Sequence, residues 1–142
     1  MKTYGKSRAT NASPERVWSV WSDPNNWSRW NSGIASATLA GPLVSGATGT
    51  METSRGGKHA VTFTDVVPQR GFKLTTGGPP GTTMTFICEI EPHGVGSMVS
   101  QSVALAGPLA FLWGPLMGAQ MANHFVSVLD DLAKAAETAP NS

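Results

Sequence analysis

The sequence predicts an α+β protein: a curved antiparallel sheet of about seven strands wrapped around one long C-terminal helix, with two short helices after the first strand. Three observations carry this. Period-two patterning runs from Ile34 to Leu105, a helical period follows from residue 108, and four of the five tryptophans (Trp18, Trp21, Trp27 and Trp30) crowd the stretch between the first strand and the ladder.

The first strand spans residues 3–10. Ser13 then offers a hydroxyl to cap a helix, and Pro14 suits the first helical position, where a missing N–H costs nothing. Asp23-Pro24 stops that helix, because the residue before a proline is forced out of the helical region. Trp27 and Trp30 follow in a second short helix or turn. So much aromatic area on so little backbone marks a lid, either over a packed core or over a cavity.

From residue 34, breaks at Gly41-Pro42, Arg55-Gly56-Gly57, Gln69-Arg70-Gly71, 77–81 and 93–96 delimit six strands, near 34–40, 47–54, 59–67, 71–76, 82–91 and 96–105. No connection is long enough for a crossover helix, so the strands form an antiparallel meander. The C-terminal helix covers 108–137. Met117, Met121, His124, Phe125, Val128 and Leu132 share one of its faces, and Pro115 should kink it or mark a break near Gly114. Residues 138–142 read as a frayed tail. There is no repeat or linker, and 1–142 reads as a single domain.

Composition narrows the function classes. Only 13% of residues are charged and the net charge is +1, without the basic stripe that phosphate neutralisation requires, so nucleic acid is not an expected partner. Cys88 is the one cysteine, which rules out an internal disulfide and suits a reducing cytoplasm. No apolar run follows Met1, so no secretory leader is expected. Residues 103–119 are uncharged and mostly apolar, but Gly107-Pro108 and Gly114-Pro115 interrupt them, so stable membrane insertion is not expected either.

The polar candidates each have a plainer explanation. His124, at the edge of the helix's apolar face, is the best candidate for an acid or base, yet no orienting partner can be read from the sequence, and a helix-edge histidine that reaches solvent or a strand carbonyl is the plainer explanation. His59 and His93, next to turns, read as solvent-exposed. Three isolated histidines and one cysteine have no metal-ligand spacing, so no metal is expected. Glu52 and Asp65, on neighbouring strands, would make a carboxylate pair only if both faced inward. No Gly-x-Ser-x-Gly elbow occurs, and the prolines of the 77–81 loop remove N–H groups that a phosphate cradle needs, which leaves a hairpin loop and no expected cofactor. Cys88 alternates with Met84, Phe86 and Ile90 as a small core residue.

The Ser13-Pro14-Glu15-Arg16-Val17-Trp18 helix start, Asp23-Pro24, Trp27-x-x-Trp30, Leu39-Ala40-Gly41 and Gly46 resemble the SRPBCC or START-like superfamily, also called polyketide cyclase/dehydrase-like, over residues 2–137. That resemblance implies the helix-grip fold and a cavity between sheet and helix, but no shared catalytic motif. It makes Trp18, Trp30, Met84, Phe86, Met98, Trp113, Met117, Met121, His124, Phe125 and Val128 the candidate ligand-binding residues. The expected function is binding of a small hydrophobic or aromatic molecule. One alternative is a cyclase/dehydratase-type enzyme with His124 as acid or base, since confinement alone can drive cyclisation. Another is a partner-binding module using the uncharged 109–117 segment, and a homodimer is left open.

Overall fold

The computed structural model describes residues 3–54, 56–78 and 80–138. The expectations for Arg55, Pro79 and the 139–142 tail lie outside them. Seven strands form one sheet: β1 (Thr3–Thr10), β2 (Ile34–Leu39), β3 (Thr48–Thr53), β4 (Gly57–Val67), β5 (Gly71–Gly77), β6 (Thr83–His93) and β7 (Gly96–Ala106). Every neighbouring pair is antiparallel, in the order β1-β7-β6-β5-β4-β3-β2. The first strand therefore closes against the last, and β2 is left at the far edge.

Between β1 and β2 lie α1 (Pro14–Trp21) and a 3-10 helix (Pro24–Arg29). Ser13 caps α1 as expected, its hydroxyl accepting from the Arg16 N–H at 3.3 Å. Three of the lid tryptophans converge on one ring. Trp27 stacks on Phe72 at 6.0 Å, while Trp21 and Trp18 meet Phe72 edge-on at 5.7 and 6.3 Å. The buried Trp27 indole N–H donates to the Trp21 carbonyl at 3.0 Å, which ties the 3-10 helix to the end of α1.

The long helix, α2 (Ala110–Thr138), begins two residues later than the sequence suggests. Gly107 makes the turn into it with φ +108, and an added Cβ there would crowd the Gly81 carbonyl at 2.6 Å. No break occurs near Gly114, because the helix continues through Pro115. Proline costs α2 one backbone hydrogen bond, and it does so in an exposed turn beside the exposed Phe111.

Helix α2 packs against β1, β7 and α1. Gly114 and Gly118 allow this approach: the Tyr4 ring of β1 lies against both, and a Cβ on Gly118 would overlap it. At the other end, Arg8 of β1 pairs with Asp130 at 2.8 Å, and Glu137 accepts from the Thr10 hydroxyl at 2.6 Å. The helix is thus clamped to one side of the curved sheet. Strands β3 to β6 curl away beneath it, which leaves a space between their concave face and the helix.

Candidate functional site

Strand register decides which side chains face that space. Residues in register across antiparallel strands share a face. One row across the sheet runs Gln101–Cys88–Phe72, and the next runs Val103–Phe86–Leu74–Phe63. Both rows face α2. Together with the lid and the helix they bound a cavity of about 910 Å³ that opens to solvent. Its floor is Phe72, Leu74, Phe86, Cys88 and Gln101, its lid Trp21, Trp27 and Trp30, and its far wall Ile34 and Met51. The roof is the α2 face with Met117, Met121, Phe125 and Val128.

The rim is polar. Asn31, Ser32, Gly33, Thr53 and Ser54 form one lip, and Gln120, Asn123, His124 and Ser127 of α2 form the other. The first lip is braced from β3: the Ser54 hydroxyl donates to the Ser32 carbonyl at 2.5 Å, and the Ser54 N–H donates to the Gly33 carbonyl at 3.1 Å. The Asn31 side-chain oxygen accepts from the Gly33 N–H at 2.9 Å. His124 Nε2 reaches across to this loop, within 3.3 Å of where a Cβ on Gly33 would sit. A histidine can approach a glycine there more closely than it could a larger residue.

No aspartate, glutamate, lysine or arginine lines the cavity among the described residues. Cys88 lies on the floor, where burial, with a smaller contribution from Glu89, pushes its thiol well above the usual range and keeps it protonated. It is therefore not an activated nucleophile. Gln101 and Trp30 line the cavity, but the Gln101 side-chain oxygen Oε1 and the Trp30 indole nitrogen Nε1 are themselves buried and have no hydrogen-bond partner among the described residues.

Of the residues singled out from sequence, Trp30, Phe86, Met117, Met121, His124, Phe125 and Val128 line the cavity. The others sit elsewhere. Trp18 packs edge-on to Phe72 within the lid but does not line the cavity. Met84 and Trp113 belong to a second apolar cluster around Val103, Leu105 and Phe125, beyond the cavity wall. Met98 pairs with Ala9 and Glu91 on the opposite face of the sheet from Ser97 and Val99, which are fully buried. A one-residue difference in strand parity is enough to put it there.

The other histidines and the carboxylates also resolve. His93 is exposed, as expected, whereas His59 is half-buried, because its register with Met51 puts it on the concave face. Glu52 points to the other face with Ser36 and Lys58, and Asp65 sits in a bulge of β4, paired with Lys73 at 3.1 Å, so the two carboxylates do not meet. His124 is exposed and makes no hydrogen bond or ion pair among the described residues. Gly81, at the end of the hairpin loop, packs against Leu109 just before α2.

Sequence reasoning missed Gln101, Asn31, Ser32, Thr53 and the floor residues Phe72 and Leu74. Phe72 and Leu74 were legible as alternating apolar residues, but nothing in the sequence said that their face is open. Gln101 has the usual profile of an outward strand residue.

A family model described as polyketide cyclase / dehydrase and lipid transport matches residues 1–137. The chain belongs to that family. Its place in the SRPBCC-like superfamily and its helix-grip fold follow from that match and from the architecture above. Among solved structures it is similar to protein CV1439 from Chromobacterium violaceum, with 20% identity, a TM-score of 0.71 and 98% of each chain covered. A protein from Thermus thermophilus aligns with 14% identity and a TM-score of 0.75 over 99% of this chain and 100% of that one. The di-domain ARO/CYC StfQ from the steffimycin biosynthetic pathway aligns with 9% identity and a TM-score of 0.77 over 95% of this chain and 50% of its own length. At these identities the likeness is one of fold. No curated protein matches the sequence. No helix among the described residues is long and apolar enough to cross a membrane.

Proposed function

We propose that this member of the family binds one small, neutral, hydrophobic or aromatic molecule in the sheet–helix cavity. The observation that carries the reading is the cavity itself: about 910 Å³, walled by aromatic and methionine side chains, with no charged side chain in its lining among the described residues. Sites of this size and character bury most of a small organic ligand. An ionised ligand would have to shed its water where the described residues supply no countercharge, which costs several kcal/mol. Methionines at the roof suit a ligand of irregular shape, since their unbranched side chains repack easily.

The family description and the ARO/CYC neighbours favour a second reading, a cyclase acting on such a ligand. Its acid or base would be His124, the one histidine on the rim. Because His124 is exposed and has no orienting partner among the described residues, the binding reading is preferred. The exposed Phe111, Leu112 and Leu116 at the start of α2 keep the partner-binding alternative in view, but a partner module has no use for an open cavity.

Titration with Nile red, a neutral environment-sensitive dye, tests the reading: one saturable site per chain is expected. Native mass spectrometry of the freshly purified protein should show a displaceable small molecule. His124→Ala separates the two readings, because a carrier keeps its affinity within a few-fold whereas a cyclase binds but loses turnover. Absence of any saturable dye site would overturn both.

A further inference from the structure

We infer that the outward face of α2 is the interface of a homodimer, in which a second copy lays its own α2 alongside, parallel and in register. This stands apart from the binding reading and does not depend on it. A helix face that looks onto water ordinarily carries charge. The first aspartate, glutamate, lysine or arginine of α2 is Asp130, past the middle of the helix, and it is paired with Arg8 at 2.8 Å. Before it the outward positions are apolar: Phe111 is 75% exposed, Leu116 66%, Leu112 48% and Val126 47%. Leu109, Leu112, Leu116, Ala119, Asn123 and Val126 follow one another at alternating spacings of three and four residues, and all are exposed. That is the rhythm of a seam between two helices, which repeats every seven residues. The stripe that the fold itself buries, Phe125, Leu129, Leu132 and Ala136, lies on the opposite side of the helix. Helix α2 therefore has two apolar faces, and the chain covers one of them.

The make-up of the face selects the occupant. Leu109, Phe111, Leu112, Leu116 and Val126 together expose on the order of 500 Å², near the upper end for the largest apolar patch of a monomer. With Gln120, Asn123 and Ser127 of the same face, the area approaches the roughly 800 Å² per partner that a stable complex buries. A helix made to lie in a lipid surface borders its apolar face with lysine and arginine, whereas the first such residue of α2 is Lys134. Ala119, near the middle of the seam, lets two helix axes approach closely. Asn123 fixes the arrangement, because an asparagine in such a seam costs stability and specifies register. In a parallel pair its amide meets the amide of the second copy. Antiparallel pairing would set it against an apolar seam residue and leave it unsatisfied. The same patch then serves both copies, as two-fold symmetry requires. Gln120, Asn123 and Ser127 also belong to the rim, so the second helix runs along that lip of the cavity mouth.

Sedimentation equilibrium of the full chain at about 10–100 µM should show dimers, since interfaces of this size reach micromolar affinity or better. Leu112→Glu and Leu112→Lys each set like charges face to face and should weaken the dimer at least about hundredfold. Both should stay folded by circular dichroism, because Leu112 is already half in water. Mixed in equal amounts they should restore dimers, because position 112 meets its own counterpart only in the parallel pair. Val126→Glu is the companion variant if the Leu112 variants unfold, and the same loss is expected of it. Val95→Glu, in the turn between β6 and β7 and far more exposed, should leave association unchanged. A parent that stays monomeric across that range overturns the inference, and if it floats with phosphatidylcholine vesicles the face belongs to lipid. Dimers that survive Leu112→Glu, or that are lost equally with Val95→Glu, overturn it as well. Loss in both Leu112 variants without recovery on mixing overturns the in-register pairing.

Discussion

Met121→Trp is the substitution on which an open cavity and a packed core disagree most. Met121 lies half-buried in the middle of the roof, one turn of α2 beyond Met117 and one turn before Phe125. In a cavity the indole has room to enter and lies against Phe86, Phe125 and the floor. Burying on the order of 50 Å² more apolar surface at about 25 cal/mol per Å² stabilises the fold by about 1 kcal/mol. For a chain of this size that raises the melting temperature by about 3 °C. The ring would also divide the space beneath the roof, and Nile red affinity should fall at least about tenfold, or 1.4 kcal/mol. In a packed interior the same ring has nowhere to go, and overpacking costs about 1–3 kcal/mol. Thermal melts and dye titrations of parent and variant decide the matter. A variant destabilised by that amount, in a parent with no dye site, would refute the cavity as a binding site.

The lid and the helix terminus give further expectations. Trp27→Ala should cost about 3–5 kcal/mol in urea denaturation, since it removes a buried ring stacked on Phe72, whereas Trp30→Ala, half-buried at the cavity, should cost distinctly less. Equal and small losses would mean that the cluster does not hold the lid. Glu137 should contribute to the acid limb of stability. The Thr10 hydroxyl, followed by the Asn11 N–H and then Arg8 and Arg16, holds its carboxyl below the ordinary value of 4.5. A lowered folded-state pKa means that the contribution is present above about pH 4.5 and is lost as the pH falls through the folded value. Glu137→Gln should therefore flatten the pH dependence of stability below that pH, with little change in its shape at neutral pH, and denaturation curves across pH 3–7 would show it.

Much of the fold was legible because it rests on local chemistry. The Ser13 cap, the Pro14 start and the Asp23-Pro24 stop each act over a few residues, and the structure places α1 and the 3-10 helix where they indicate. Strand limits lie within about two residues of the turn signals, because glycine and proline end strands by their own backbone preferences. The exception at Pro115 is instructive. Proline forbids one hydrogen bond, and a helix anchored by Tyr4 against Gly114 and Gly118 tolerates that loss.

The candidate site was legible in part. The α2 stripe could be read because a helix presents a 3.6-residue period and packs by one face, and so Met117, Met121, Phe125 and Val128 were found together. Strand residues could not be placed as surely. Alternation tells which residues share a face but not which face is inside, and Met98 lies on the outer one while Met84 lies beyond the cavity.

By itself, the sequence determined the elements, their order and the antiparallel meander, since caps, turns and periods are written in neighbouring residues. Only the tertiary structure decided that the helix lies against β1 and β7 and not over the middle of the sheet, which is why a cavity exists at all. It also decided that Gln101, an ordinary residue for a strand, would lie half-buried beside Cys88 with its side-chain oxygen buried and unpaired among the described residues. Whether a polar group is solvated or orphaned depends on what folds over it from the other end of the chain, and no local pattern carries that information.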